Sequence, residues 1–177
     1  LRVVKPVRGC GSQGARLTDS PPGEDEFAQR YVDGEHLSAS LVCSRNTGEA
    51  CFYYSGKTPL PLALNRQLIE VRKGAFHYQG GETPVDHPRK DEILDTARKT
   101  VTVLGCQGYA GVDMVVADRV YVVDVNPRIT TSLIGIAAVM EEEIGRILIE
   151  ASEGKGPDAV HLRGRVRFTK DGMVTRL

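Results

Sequence analysis

The stretch that decides the fold is VYVVDVNPR at residues 120–128. Its β-branched and aromatic residues predict a strand, and the spacing of Asp124 and Asn126 puts both side chains on the same face. A carboxylate within an apolar run requires a partner, and a metal ion is a suitable one. Both side chains offer the hard oxygen ligands that Mg²⁺ prefers. The alternative is an ordinary strand end with a turn before Pro127.

The preceding predicted strand provides a second carboxylate. Residues 109–116 and 119–125 are two β-rich runs split by a short turn, a pattern typical of a hairpin. Asp113 lies on the first arm and Asp124 on the second. These two carboxylates and Asn126 are therefore the candidate metal ligands, with nucleotide phosphates filling the remaining coordination positions.

Near the start of the sequence, a lysine ends a predicted strand beside a glycine-rich loop. Residues 1–7 are a β-branched run that includes Lys5, and residues 9–14 read GCGSQG. An ammonium group supplies positive charge, and glycines let backbone amides close around phosphate oxygens. The alternative is a mobile turn, the commoner meaning of an isolated glycine cluster. The loop matches neither a Walker loop nor a dinucleotide-binding fingerprint.

Composition limits the classes of function. Lysine plus arginine and aspartate plus glutamate both number 23 among 177 residues, which disfavours nucleic-acid binding. The 4 cysteines form no C-x-x-C pair, so neither a zinc site nor a disulfide framework is indicated, and a cytoplasmic location fits best. We find no apolar run long enough to span a bilayer and no signal peptide, and therefore expect no membrane association.

The rest of the chain predicts antiparallel strands and two helices, an α+β fold. Strands are expected near residues 29–32, 37–43, 47–54, 65–71 and 75–79. Apolar spacing predicts helices across residues 93–104 and 133–151, and the last strands form a hairpin from residues 161–168 and 173–177.

Taken together, these motifs resemble the ATP-grasp superfamily. The lysine with Gly9, Gly11, Ser12 and Gly14 looks like the family's phosphate-binding strand and loop. The stretch QRYVDGE at residues 29–35 looks like its hinge, and the two strands with Asp113 and Asp124 look like its metal-binding strands. Each motif is weak alone, but their order and intervals agree with the family.

The resemblance implies a fold of antiparallel sheets flanked by helices, with the nucleotide between two lobes. Residues 1–32 would be the remainder of the small lobe, and residues 33–177 the large lobe. It also implies that ATP is bound with Mg²⁺, or Mn²⁺, and that Lys5 and Arg128 act on the transferring phosphoryl group. An arginine just past the proline is suited to hold a phosphate or carboxylate, although a surface salt bridge is its ordinary alternative.

In the hinge, the resemblance implies that Gln29 and the backbone at Tyr31 and Val32 contact adenine, while Glu35 or His36 holds the ribose. Two positions depart from the family pattern. Gln29 stands where the family usually has glutamate, and the second metal-binding strand carries aspartate where glutamate is usual.

The implied activity is ATP-dependent conversion of a carboxylate to an acyl phosphate, followed by attack of an amine to form an amide. Residues 61–67 and 124–131 look most like archaeal ligases that join glutamate to an amine such as tyramine. The alternative from another class is a non-catalytic ATP-binding scaffold or sensor. A further ATP-contacting lysine and a preceding substrate domain are expected upstream, so we expect the chain to be the C-terminal part of such a ligase.

Overall fold

A computed structural model describes residues 1–9, 11–44 and 58–177, so the strand predicted over residues 47–54 lies outside the described part. The strands are β1 (Arg2–Pro6), β2 (Arg16–Thr18), β3 (Glu26–Arg30), β4 (Glu35–Cys43), β5 (Leu60–Arg72), β6 (Ala75–Thr83), β7 (Gly108–Val116), β8 (Val120–Asn126), β9 (Val166–Thr169) and β10 (Val174–Arg176). The helices are α1 (Lys90–Val103), α2 (Ser132–Val139) and α3 (Ile144–Ser152).

The strands form one 10-stranded sheet in the order β3-β1-β2-β6-β5-β4-β7-β8, with β9 added to β6 and β10 added to β9. Every strand pairing described is antiparallel, which confirms the predicted α+β class. A single register pair, Arg16 with Ala75, joins β2 to β6. The strands before this joint lie within the segment predicted as the small lobe, and the division into lobes stays a prediction. In the described part, none of the helices has the length and apolarity to cross a bilayer.

One face of the sheet is covered by α1, as the apolar spacing predicts. Ile93, Ala97 and Val101 are fully buried at intervals of four residues and pack against alternate side chains of β4 and β7. On β4 the buried partners include Leu37 and Leu41. Burial of each large aliphatic side chain contributes roughly 1.5–3 kcal/mol, so this layer fixes the strands that carry the candidate metal ligands.

The opposite face is only partly covered, by α2 and α3. The single helix predicted across residues 133–151 is wrong, because the chain leaves helical conformation at Met140, where ψ is 137°. Met140 forms a β-bridge with Leu162, and the Glu141 N–H donates to the His161 carbonyl at 2.9 Å. Backbone pairing with a later segment therefore replaces the helical hydrogen bonds at this point.

Phe168 on β9 holds α2 and β6 together. A Cβ built at Gly135 would lie 2.5 Å from the Phe168 ring, and one at Gly81 would lie 2.7 Å from it. Gly80 has φ of 128°, and a Cβ there would lie 2.0 Å from the Phe168 carbonyl oxygen. Glycine is therefore needed where the helix, the strand and this ring meet. The final hairpin is confirmed, with shorter strands than the sequence predicts.

Gly135→Ala is expected to destabilise the protein by about 1–3 kcal/mol, because the new methyl group overpacks the Phe168 ring and the Thr83 side chain. Thermal unfolding followed by circular dichroism measures the effect. The matched control is Gly145→Ala in α3, where a Cβ meets nothing within 4 Å. An equal loss of stability in both variants would contradict the packing role assigned to Gly135.

Candidate nucleotide and metal site

The uncovered part of the sheet forms the floor of a cleft of about 320 Å³, with β1, β3 and the glycine loop on one side and β7, β8 and the start of α2 on the other. Most residues predicted to form the site line this cleft: Lys5, Gly9, Gly11, Ser12, Gln29, Tyr31, Val32, Asp113, Asp124, Asn126 and Arg128. Residues far apart in sequence are thus brought to one place.

Two predicted residues lie outside this lining. Gly14 lines an adjoining chamber on the other side of the loop. The Glu35 carboxylate accepts hydrogen bonds from Arg66 at 2.7 and 3.0 Å. His36 lines the cleft, and burial lowers its pKa. Of the two ribose candidates, only His36 therefore faces the cleft.

Lys5 and Gln29 reach from β1 and β3 to a single acceptor on β8. The Lys5 ammonium donates to the Val123 carbonyl at 3.0 Å, and the Gln29 side-chain amide donates to it at 3.4 Å. Val123 directly precedes Asp124. The two donors therefore hold the glycine-loop side of the cleft close to the strand that carries the candidate metal ligands.

Asp113 and Asp124 are directly opposite each other in the β7–β8 ladder, next to a register shift after Asp113. Residues paired in this way have Cβ atoms roughly 4.5–5.5 Å apart. Burial, and then the negative charge of Asp124, raise the pKa of Asp113 to about 6, although hydrogen bonding by Gln67 opposes the shift. Asp124 itself is exposed to the cleft.

Asn126 completes the candidate metal ligands. Its amide nitrogen donates to Asp124 at 3.2 Å and to Asp113 at 3.5 Å, and its Oδ1 accepts a hydrogen bond from Arg128 at 2.9 Å. Rotation of the amide by half a turn would exchange its donor and acceptor positions. Arg128 also donates to the Ile129 carbonyl at 3.2 Å, and its positive charge acts to lower the pKa of Asp113.

These residues fit a hard divalent cation. Two oxygen ligands of like charge face each other, and a cation between them would relieve the repulsion that raises the Asp113 pKa. Within the described residues, no group of three histidine, cysteine, aspartate or glutamate side chains could hold a metal. A cation here would therefore need further ligands, such as the phosphate oxygens that Mg²⁺ commonly takes from a nucleotide.

Sequence patterns did not identify several lining residues. Gln67 lines the cleft and hydrogen-bonds to Asp113, and Thr130, another lining residue, contacts the hydroxyl of the buried Tyr109 at 3.0 Å. Burial raises the pKa of Tyr78 to about 12. Because side chains alternate between the two faces of a strand, the sequence of β5 and β6 could have placed Gln67 and Tyr78 on the cleft face.

Asp113→Asn is expected to stabilise the metal-free protein by about 1–3 kcal/mol at pH 8, because it removes a charge disfavoured by burial and by Asp124. A raised carboxyl pKa means that native stability falls as pH rises from about 4 to about 6. The gain should therefore be present at pH 8 and absent at pH 4. Thermal melts in chelator at both values measure it, and a pH-independent difference would contradict this cause.

The family follows from comparison with known proteins. A family model described as an ATP-grasp domain matches residues 2–132, and the chain therefore belongs to the ATP-grasp family, as the resemblance implied. Similar curated proteins are the tyramine–L-glutamate ligases of Methanocaldococcus fervens, 38% identical over 84% of this chain, and of Methanocaldococcus jannaschii, 38% identical over 76%. The chain spans 43% and 37% of their lengths.

Solved structures agree with this assignment. An ATP-grasp superfamily protein from Archaeoglobus fulgidus has a TM-score of 0.70 and 26% identity, covering 94% of this chain and 48% of that one. N5-carboxyaminoimidazole synthetase from Staphylococcus aureus, complexed with ADP, has a TM-score of 0.63 and 15% identity, covering 82% of this chain and 37% of that one. The second likeness shows the fold alone.

Proposed function

We propose that this chain is part of an ATP-dependent ligase that converts a carboxylate to an acyl phosphate and joins it to an amine, forming an amide. The observation that carries the proposal is the meeting of Lys5, Asp113 and Asp124 in one cleft. A cationic side chain and two carboxylates around a glycine loop suit the binding and positioning of a metal-bound triphosphate.

Each element of the cleft has a role in this proposal. Lys5 and the glycine loop hold phosphate oxygens, and Arg128 steadies the transferring phosphoryl group by charge-assisted hydrogen bonds. Mg²⁺, or Mn²⁺, would be held by the two carboxylates with Asn126, and would supply neutralisation of phosphate charge.

At the other end of the cleft, the backbone at Tyr31 and Val32 contacts adenine, beside Gln29. His36 is the candidate for the ribose, because Glu35 is engaged by Arg66 on the neighbouring strand. In this proposal the phosphates lie toward the glycine loop, and the carboxylate substrate approaches them there.

The relatives' names suggest the substrates. Both curated relatives are named for joining tyramine to L-glutamate. We therefore propose a small carboxylate, glutamate, and an amine, tyramine, as the first pair to test. The 38% identity to both ligases supports this choice, together with the resemblance of residues 61–67 and 124–131 to such enzymes noted in the sequence.

The test is calorimetric titration of the full-length gene product with ATP, with and without Mg²⁺, followed by an assay of ADP release with glutamate and tyramine. Magnesium-dependent binding with ADP release that requires both substrates would support the ligase. Magnesium-dependent binding without ADP release, across a panel of carboxylates and amines, would instead favour the non-catalytic scaffold. Well-folded protein that binds no nucleotide would contradict both.

A further inference from the structure

A second chamber of about 740 Å³ lies on the far side of the glycine loop from the hinge. It is bounded by the loop, the first half of β6, the start of α2 and the β9–β10 turn. Its lining residues are Gly11, Ser12, Gln13, Gly14, Ala15, Arg16, Ala75, Phe76, His77, Tyr78, Gln79, Thr131 and Lys170. The turn that supplies Lys170 lies beyond residues 2–132, the part matched to the family.

The chamber adjoins the cleft at its phosphate end. The two cavities share part of their lining: Gly11, Ser12, Gln13, Ala15, Phe76, Tyr78 and Thr131. The shared residues are those of the glycine loop and the sheet floor beside it, whereas the hinge residues line the cleft alone. A molecule in the chamber would therefore lie next to the phosphates of a nucleotide in the cleft.

The chamber has a basic lining. Apart from the weakly acidic Tyr78, its titratable lining residues are Arg16, His77 and Lys170, and the described lining contains neither aspartate nor glutamate. Both terminal nitrogens of Arg16 bind the Glu26 carboxylate, so the charge of Arg16 is already matched. Among the ion pairs of the described residues, none includes the Lys170 ammonium. Among the described residues, the positive charge that Lys170 offers the chamber is therefore unmatched.

The backbone at Lys170 is fixed to the sheet. Its N–H donates to the Gln79 carbonyl at 3.3 Å, and the turn is closed by hydrogen bonds from Thr169 N–H to Met173 at 2.9 Å and from Gly172 N–H to Thr169 at 3.1 Å. The Thr169 hydroxyl also accepts from the Met173 N–H at 3.2 Å. The exposed lysine side chain therefore extends from a hydrogen-bonded turn at the edge of the chamber.

A carboxylate substrate needs a cation that the nucleotide does not occupy. The cleft contains Asp113 and Asp124 and would hold a polyanionic triphosphate, so an approaching acid would be repelled. Lys5 and Arg128 already engage groups of the cleft and are assigned to phosphates. The remaining arginine of the cleft, Arg30, ends β3 beside the hinge, at the end proposed for adenine. Lys170 is the described cation that lines the adjoining chamber without an ion-pair partner.

We propose that this chamber binds the carboxylate substrate, and that Lys170 is a specificity residue that holds a carboxylate group other than the one activated. The proposal rests on the ligase function above and names the substrate class as a dicarboxylate. The same chamber is lined by residues with neutral hydrogen-bonding groups: Ser12, Gln13, Gln79 and Thr131. One carboxylate at Lys170 leaves the other directed toward the shared wall and the phosphates.

The experiment is calorimetric titration with L-glutamate of the full-length gene product, saturated with Mg²⁺ and a non-hydrolysable ATP analogue. Lys170→Ala should weaken glutamate binding about 10-fold or more, whereas Lys170→Arg should retain most of it. Affinity for the ATP analogue should be unchanged in both variants. The matched control is Lys90→Ala, which removes another exposed lysine, at the start of α1 outside the lining of both cavities.

Three outcomes would overturn the proposal. Glutamate affinity could be the same in Lys170→Ala and wild type. Alternatively, glutamine, which keeps only the α-carboxylate, and 4-aminobutyrate, which keeps only the other carboxylate, could both bind as tightly as glutamate. Inorganic phosphate could also displace glutamate at equal concentration with the same dependence on Lys170, which would indicate a general anion site. Loss of ATP-analogue binding by the wild-type protein would count against the proposed function instead, and a glutamate titration without nucleotide still tests Lys170.

Discussion

Asp124→Ala is expected to weaken magnesium-dependent nucleotide binding about 100-fold or more and to abolish ADP release. Asp124 lies opposite Asp113, and its removal leaves one half-buried carboxylate and one amide to face the cation. Because the Asp124 side chain is exposed and repels Asp113, the variant should fold at least as stably as the wild type. Titration with ATP at several Mg²⁺ concentrations, together with a thermal melt, measures both effects.

The matched control is Asp118→Ala, which removes an exposed carboxylate from the turn of the same hairpin. Asp118 accepts a hydrogen bond from the Tyr121 hydroxyl at 2.9 Å and does not line the cleft. Magnesium dependence should be unchanged in this control. Wild-type magnesium dependence in a well-folded Asp124→Ala protein would show that the metal is held elsewhere.

Lys5→Ala should reduce ATP affinity about 10- to 100-fold, since charge-assisted hydrogen bonds to phosphate contribute roughly 1.5–3 kcal/mol. The only hydrogen bond described for the Lys5 side chain is to the Val123 carbonyl, across a solvent-accessible cleft, so the loss of stability should be small. Fluorescence titration with a labelled ATP analogue, checked by competition with ATP, gives the affinity.

Arg2→Ala provides the comparison for Lys5→Ala. Arg2 is an exposed cation on the same strand and does not line the cleft, so a general effect of net charge would appear in both variants. Equal ATP affinity in the wild type and in Lys5→Ala would remove the phosphate role from this lysine, and the glycine loop backbone would then have to supply it alone.

Features set by local sequence could be predicted. The spacing of Ile93, Ala97 and Val101 predicted α1, and the two β-rich runs around residues 117–118 predicted the β7–β8 hairpin. The candidate metal ligands lie on that hairpin and are close in sequence. Their meeting could therefore be inferred without knowledge of the rest of the fold.

Features set by distant partners could not be predicted. The break after α2 depends on Leu162, which pairs with Met140, and nothing within residues 133–151 indicates that partner. The three-residue strand β2 was missed because Arg16-Leu17-Thr18 is too short for a period to be visible. The sequence did not indicate Lys170 as a site residue, because its chamber forms only when β9 pairs with β6.

The choice between Glu35 and His36 shows a signal that the sequence did contain. Leu37 and Leu41 on β4 belong to the core beneath α1, so residues at even positions in that part of the strand face the opposite side. The alternation of side chains along β4 therefore places His36 on the cleft side and Glu35 on the side of Arg66. The alternation could not predict that Arg66 is the ion-pair partner of Glu35.

The position of Phe168 has a consequence for synthesis of the protein. Strand β6 and helix α2 leave the ribosome before β9, yet both are shaped by glycines to receive the Phe168 ring. Until β9 is translated, neither surface has the ring against which it packs, and the chain remains open to premature contacts with other molecules. Prematurely terminated chains would therefore present a binding cleft with one unsupported wall, a ready target for quality control by chaperones and proteases.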